Sequence, residues 1–196
     1  MISSAAEIAR GIYGAWRLAL RDRGGIAFFN DSVTGFWKSF FAAILVAPAY
    51  FTLMLVEFEE RELSGSALHA LIIHLLAYVL RWVAFPVLAE HAVKAIDREG
   101  RYLRLIVAFN WSQVIQALIY LPLVILAHSV TSHGGLAMLL SLAGLVLVLI
   151  YEWYVIRETL DCSGAATSAL VALDLALSIV ISIAVTALTL APPQPA

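Results

Sequence analysis

Long apolar runs, broken at short polar intervals, organise this chain. Five of them reach the roughly 20 residues that a helix needs to cross hydrocarbon. They fall at about 35–57, 67–90, 103–127, 134–157 and 167–190. The connections are short, which predicts an all-α fold: one polytopic membrane helical bundle of five transmembrane helices packed on each other. Ahead of them, Ile8, Ile12, Trp16 and Leu20 recur every four residues, while Arg10, Arg17 and Arg21 lie mostly off that face. This spacing predicts an N-terminal amphipathic interfacial helix within a cytoplasmic segment 1–34, ended by Gly24-Gly25. The stretch IAFFNDSVTGFW then brings Phe28, Phe29, Phe36 and Trp37 to the headgroup boundary. The same pattern also fits a helix packed on the cytosolic ends of the bundle. APPQPA, residues 191–196, reads as a short external tail.

Composition agrees with the pattern. The chain of 196 residues is 62% hydrophobic and 13% charged, and its mean hydropathy is +0.92. A soluble domain is nearer 25% charged. The formal net charge of -2 excludes a global basic signal for nucleic acid, so the placement of the charges carries the information. Lys and Arg resist translocation. They gather in the N-terminal region (Arg10, Arg17, Arg21, Arg23, Lys38), the second loop (Lys94, Arg98, Arg101, Arg104) and the fourth (Arg157). Opposite them stand Arg61 among Glu57, Glu59, Glu60 and Glu62, then HSVTSHGG and the tail, which have no Lys or Arg. The N-terminus is therefore expected inside and the C-terminus outside. Arginines interrupt the first 25 residues where a secretory signal needs an apolar core, so no cleaved signal is expected.

One run is broken from within. LLAYVLRWVAFP, residues 75–86, holds Arg81 with no other charge between His74 and Glu90. At 1.5 Å per residue Arg81 lies about 13 Å from the inner boundary at Glu90. By the same count Asn110 and Gln113 lie about 9–13 Å in, Glu152 about 7 Å and Asp174 about 10 Å. Polar groups on four spans thus share one depth in the inner leaflet. Charges there cost several kcal/mol unless they face the bundle and find partners. His74, Tyr78, Arg81 and Phe85 follow i, i+4, i+7, i+11 and share a face; Asn110, Gln113 and Ala117 do the same. Thr167, Asp174, Ser178, Ser182, Thr186 and Thr189 form a polar and small stripe on the fifth span, matched by Ser39, Ala43 and Ala47 on the first. Arg81 is the expected partner of Asp174, with Glu152 second. Two roles fit: a neutralised network that fixes helix register, or a relay or solute pathway. Transporters often show internal repeats or interrupted spans. No repeat is evident, although Pro48, Pro86 and Pro122 lie within spans.

Recognised chemistry is sparse. Cys162 is the single cysteine, so neither a disulfide framework nor a CxxC site is expected. His69 and His74 lie on different faces and no HExxH occurs. His69, His128 and His133 near the outer surface lack an acidic or cysteine companion, so no metal and no cofactor are expected. Ser112 and Ser141 have no spacing-defined base, and no GxSxG elbow or glycine-rich phosphate loop is present. A non-enzymatic protein is expected. The basic residues Arg10, Arg17, Arg21, Arg23, Lys94, Arg98, Arg101 and Arg104 are candidates to meet anionic lipid or a protein partner at the cytoplasmic face.

The layout of an amphipathic N-terminus, five spans and short loops resembles the Yip1-type family of small polytopic membrane proteins. YVIRETLDCSGAATSALVALDLAL, residues 154–177, carries the local similarity: a span ending in polar residues, then a small-residue turn into the fifth. The tyrosine- and glycine-containing motifs of the eukaryotic members have no counterpart. The resemblance implies a non-enzymatic membrane adaptor; the small-GTPase partnership of eukaryotic relatives is not carried over. The leading expectation is an adaptor or accessory subunit of a membrane protein complex in the bacterial inner membrane, its partners the lipid bilayer and another membrane protein. The alternatives are a small transporter or channel running along Arg81, Asp174 and Glu152, and a lipid-binding protein.

Overall fold

The computed structural model describes residues 3–60, 63–129 and 134–189. Arg61, Glu62, His133, the expected tail and the side chains of residues 57–60 lie outside that description. The described residues form α1 (Ala5–Ala19), a 3-10 turn (Arg23–Phe28), α2 (Val33–Ser39), α3 (Phe41–Glu60), α4 (Ala67–Ala95), a second 3-10 turn (Glu99–Arg101), α5 (Tyr102–Ser129), α6 (Gly134–Leu160) and α7 (Gly164–Thr189). Five helical stretches are long and apolar enough to cross a membrane: Val33–Val56, Ala67–Ala95, Glu99–Ser129, Gly134–Leu160 and Gly164–Thr189. Their outer faces are lined with exposed aliphatics such as Leu76, Val79, Leu118, Met138, Leu139, Val180 and Ile183. Water disfavours such a surface, and hydrocarbon suits it. The described residues form an all-α bundle whose five long helices have the length and composition of a multi-pass membrane protein.

Several helices overrun their apolar segments at the end that joins α4 to α5 and α6 to α7, here called the basic end. Lys94 bonds Glu90 one turn back at 2.7 Å, so α4 continues through charged residues. At Asp97 and Asp161 the chain enters the left-handed region, with φ of 55° and 48°. Such a residue closes a helix even when it is not glycine.

The five long helices close a ring. α5 and α6 share the broadest interface, and α3 packs on α5, α6 on α7, and α7 on α4. The Tyr78 hydroxyl on α4 donates to the Ala43 carbonyl on α3, and the Tyr50 and Tyr78 rings stand 4.8 Å apart. At the basic end the ring is filled by Phe85, Ala89, Val93, Leu105, Ile106, Phe109, Ile156, Leu160, Cys162 and Leu170. Phe85 and Phe109 stack there at 4.1 Å. The other half is thinly packed: along Gly134–Ile150 of α6, Gly144 is the residue that is buried.

The N-terminal segment is a collar docked on this ring, continuous through Ser39. α1 opens on a capping box between Ser4 and Glu7 and crosses α5 and α6. Its buried face is Gly11, Gly14, Ala15 and Leu18; of the row expected to meet lipid, Ile8 and Ile12 are half-buried beside that face and Trp16 and Leu20 are 51% and 62% exposed. Close approach is the reason. A Cβ on Gly11 would fall on the Trp111 indole, and Gly14 and Gly25 each leave room for the other's carbonyl. Gly24-Gly25 therefore does not end the helix. Arg21, with φ of 62°, ends it, and Asp22 N–H returns to the Arg17 carbonyl at 2.9 Å.

Polar ties fasten the collar. Lys38 Nζ lies 2.6 Å from Glu7, the Tyr151 hydroxyl donates to the Ala15 carbonyl at 2.8 Å, and the Tyr154 hydroxyl to that of Arg21 at 2.8 Å. Arg23 pairs with Glu158 at 2.8 Å and Arg104 with Asp31 at 2.9 Å. Lys38 and the Ser4 backbone amide hold the Glu7 carboxyl down to about 2, and Arg17 holds that of Asp22 below its ordinary range.

Candidate functional site

A cavity of about 360 Å³ lies inside the ring, and all five long helices line it. α3 supplies Tyr50, α4 Tyr78, Arg81 and Trp82, and α5 Asn110, Gln113, Gln116 and Tyr120. α6 supplies Glu152, and α7 Asp174 and Ser178. Six of the seven residues expected in the polar layer share this wall. Their spacing explains it: on each helix a period near 3.6 returns them to one face, and burying that face is how apolar spans accommodate polar side chains. The seventh, His74, is buried against Tyr50, whose hydroxyl lies 3.3 Å from its Nδ1.

The groups meet without closing on one another. Arg81 and Asp174 do not form the expected ion pair within 4.0 Å; the Arg81 Nη2 instead reaches the Ser178 carbonyl at 3.5 Å. Ser178 lies one turn beyond Asp174, about 6 Å along α7, so the guanidinium is held by backbone past the carboxylate. Asn110, 1% exposed, donates to Ser39 at 2.9 Å and so ties α5 to the end of α2. Glu152 is 2% exposed, and its Oε1 has no hydrogen-bond partner; the same is true of Arg81 Nε and Gln116 Nε2. An unsatisfied buried polar atom costs about 1–3 kcal/mol, and more when charged. Three on one wall are a large cost for a network whose task is only to fix register.

Gln116, Tyr50, Trp82 and Tyr120 were not singled out by the sequence. Gln113, Gln116 and Tyr120 follow i, i+3, i+7, a spacing that marks one helical face. The aromatics carried no such signal, because rings at helical spacing look like ordinary core. The stripe on α7 divides: Asp174 and Ser178 face the cavity and Thr167 and Thr189 are buried, but Ser182 is exposed and Ile181 and Val185 take the buried face.

Most of the basic residues expected to face lipid or a partner hold intramolecular acceptors while staying partly exposed. Arg17 bonds Asp22, and Arg101 pairs with Asp161 at 3.1 Å. Arg98 donates to the Asp161 carbonyl, and Arg21 covers the Tyr154 ring at 4.8 Å. Lys94, Arg23 and Arg104 are paired as above, and Arg10 is exposed on the collar helix α1. Exposed pairs of this kind are screened by solvent and contribute little each.

Comparison with protein-family models, with curated proteins and with solved structures finds no match to this chain.

Proposed function

We propose that this chain is a small multi-pass membrane protein that takes a small polar solute into its central cavity and passes it across the bilayer. The observation that carries the reading is the lining: five helices converge on one chamber, and their ionisable and amide groups are left unclosed there. An adaptor whose polar layer serves only as internal structure would close Arg81, Asp174 and Glu152 on one another. The chamber's volume falls within the about 300–1,000 Å³ of small-molecule sites. The basic end carries Lys94, Arg98, Arg101 and Arg104, so the positive-inside tendency supports a cytoplasmic collar and an external mouth. The apolar packing around the Phe85–Phe109 stack is then the inner gate, and the thin packing along α6 favours entry from outside.

The test is uptake by proteoliposomes of labelled solutes in four charge classes: cationic, zwitterionic, anionic and neutral. At least one class should enter faster than into protein-free vesicles, and Glu152→Gln, folded to the same extent, should lose that uptake. Uptake at the protein-free rate for every class would overturn the reading. So would undiminished flux in Glu152→Gln.

A further inference from the structure

The cavity's charges do not balance: Glu152 and Asp174 stand against Arg81. Arg81 lies against α7, the helix that carries Asp174, whereas Glu152 projects from α6 with Oε1 unpartnered. Two buried carboxyls facing one guanidinium call for a further positive charge, a shared proton or a cationic ligand that takes its place. The rest of the wall says which kind. Tyr50, Tyr78, Trp82, Phe109 and Tyr120 present aromatic rings, and Leu53, Leu121, Leu145, Val148 and Leu149 fill most of the remainder. A hard metal ion wants six or more oxygen ligands, which this wall does not gather. An organic ammonium ion wants a carboxylate and ring faces, and the rings of such a box attract it through their quadrupoles. Gln116 Nε2 and Arg81 Nε, both buried without partners, add donors for an acceptor atom elsewhere on the same molecule.

We infer that the solute is an organic monocation: an ammonium group held by Glu152 among the aromatic rings, on a molecule small enough for about 360 Å³ and bearing an acceptor oxygen for Gln116 and Arg81. The inference rests on the solute-binding reading above and narrows it to one charge class. Tyr78 has its hydroxyl committed to the Ala43 carbonyl, so its ring rather than its oxygen is offered to the ligand.

The experiment is calorimetric titration of the purified full chain in nanodiscs with four probes: choline, tetraethylammonium, glycine betaine and 3,3-dimethylbutan-1-ol, the neutral isostere of choline. Choline should bind most tightly, and the neutral isostere at least about tenfold more weakly. Tetraethylammonium, which lacks the acceptor oxygen, should bind more weakly than choline, and glycine betaine, whose net charge is zero, more weakly too. Glu152→Gln should lose choline binding. Tyr120→Leu, which keeps every charge, should weaken choline by about tenfold through the lost ring face. The inference is overturned if the isostere matches choline, if folded Glu152→Gln binds choline unchanged, or if neither cation binds. Uptake of a neutral or anionic solute by proteoliposomes alongside such a result would leave the transport reading standing and remove only the cation. No uptake of any class would remove both.

Discussion

The Tyr151 hydroxyl donates to the Ala15 carbonyl at 2.8 Å, one residue before the buried carboxylate of Glu152 on the same helix. The collar and the cavity wall are thus joined through adjacent residues of α6. Tyr151→Phe removes that bond alone, at about 0.5–1.5 kcal/mol. The variant should unfold at slightly lower denaturant while its cavity binds solute as before, since Tyr151 does not line the chamber; paired unfolding and binding titrations check both.

Glycine at position 11 lets α1 lie against the Trp111 indole. Gly11→Ala places a methyl group where the ring stands, and overpacking of this kind costs about 1–3 kcal/mol. The collar should lift, so limited trypsin digestion should cut at Arg10 and Arg17 faster than in the unaltered chain, with the five long helices still protected. Equal cutting rates would contradict the docked arrangement.

Acid should act on the same element. The Glu7 carboxyl is held to about 2 against an ordinary value of 4.5, chiefly by Lys38, and that of Asp22 is held down chiefly by Arg17. Groups whose folded values are depressed stabilise the fold above their ordinary values and lose that contribution as pH falls toward the folded ones. Collar docking should therefore be constant from pH 7 to about 5 and weaken from about 4.5 downward. Trypsin cannot follow this range, but pepsin susceptibility or tryptophan fluorescence can. In Lys38→Met the acid-dependent loss should still begin near 4.5 but be smaller and finish at a higher pH, because Glu7 then lacks its largest depressing partner.

Asn110 holds α5 to the end of α2 through Ser39, with both side chains buried. Asn110→Leu leaves the Ser39 oxygen without that donor, at a cost of about 1–3 kcal/mol. Asn110→Ser, which is polar but short, should not rescue it. Unfolding in graded dodecyl sulfate reads the difference.

The spans and the polar layer were legible in the sequence for the same reason. A helix in hydrocarbon must be apolar for about 20 residues, and any polar residue inside it must turn inward, so depth and periodicity together point to one face. What periodicity does not contain is pairing. It brings Arg81 and Asp174 to one chamber but does not reveal that the guanidinium reaches past the carboxylate to the Ser178 carbonyl. The face by which α1 docks carried no such signal, for another physical reason. Amphipathic reasoning follows large apolar side chains, while α1 docks through Gly11, Gly14 and Ala15, where smallness rather than hydrophobicity permits contact. The aromatics of the cavity escaped because Tyr50 and Tyr120 take their meaning from the carboxylate opposite, which only the folded ring supplies.

The most direct test of a chamber that takes up cations is the accessibility of its wall. Ser178→Cys in a Cys162→Ala background places one thiol on the lining and keeps the Ser178 carbonyl that receives Arg81. In sealed, oriented membranes a cationic aminoethyl methanethiosulfonate added outside should modify it faster than the anionic sulfonatoethyl reagent, and Glu152→Gln should narrow that preference. A thiol that reacts only after denaturation, or reacts faster with the anionic reagent, would contradict the account.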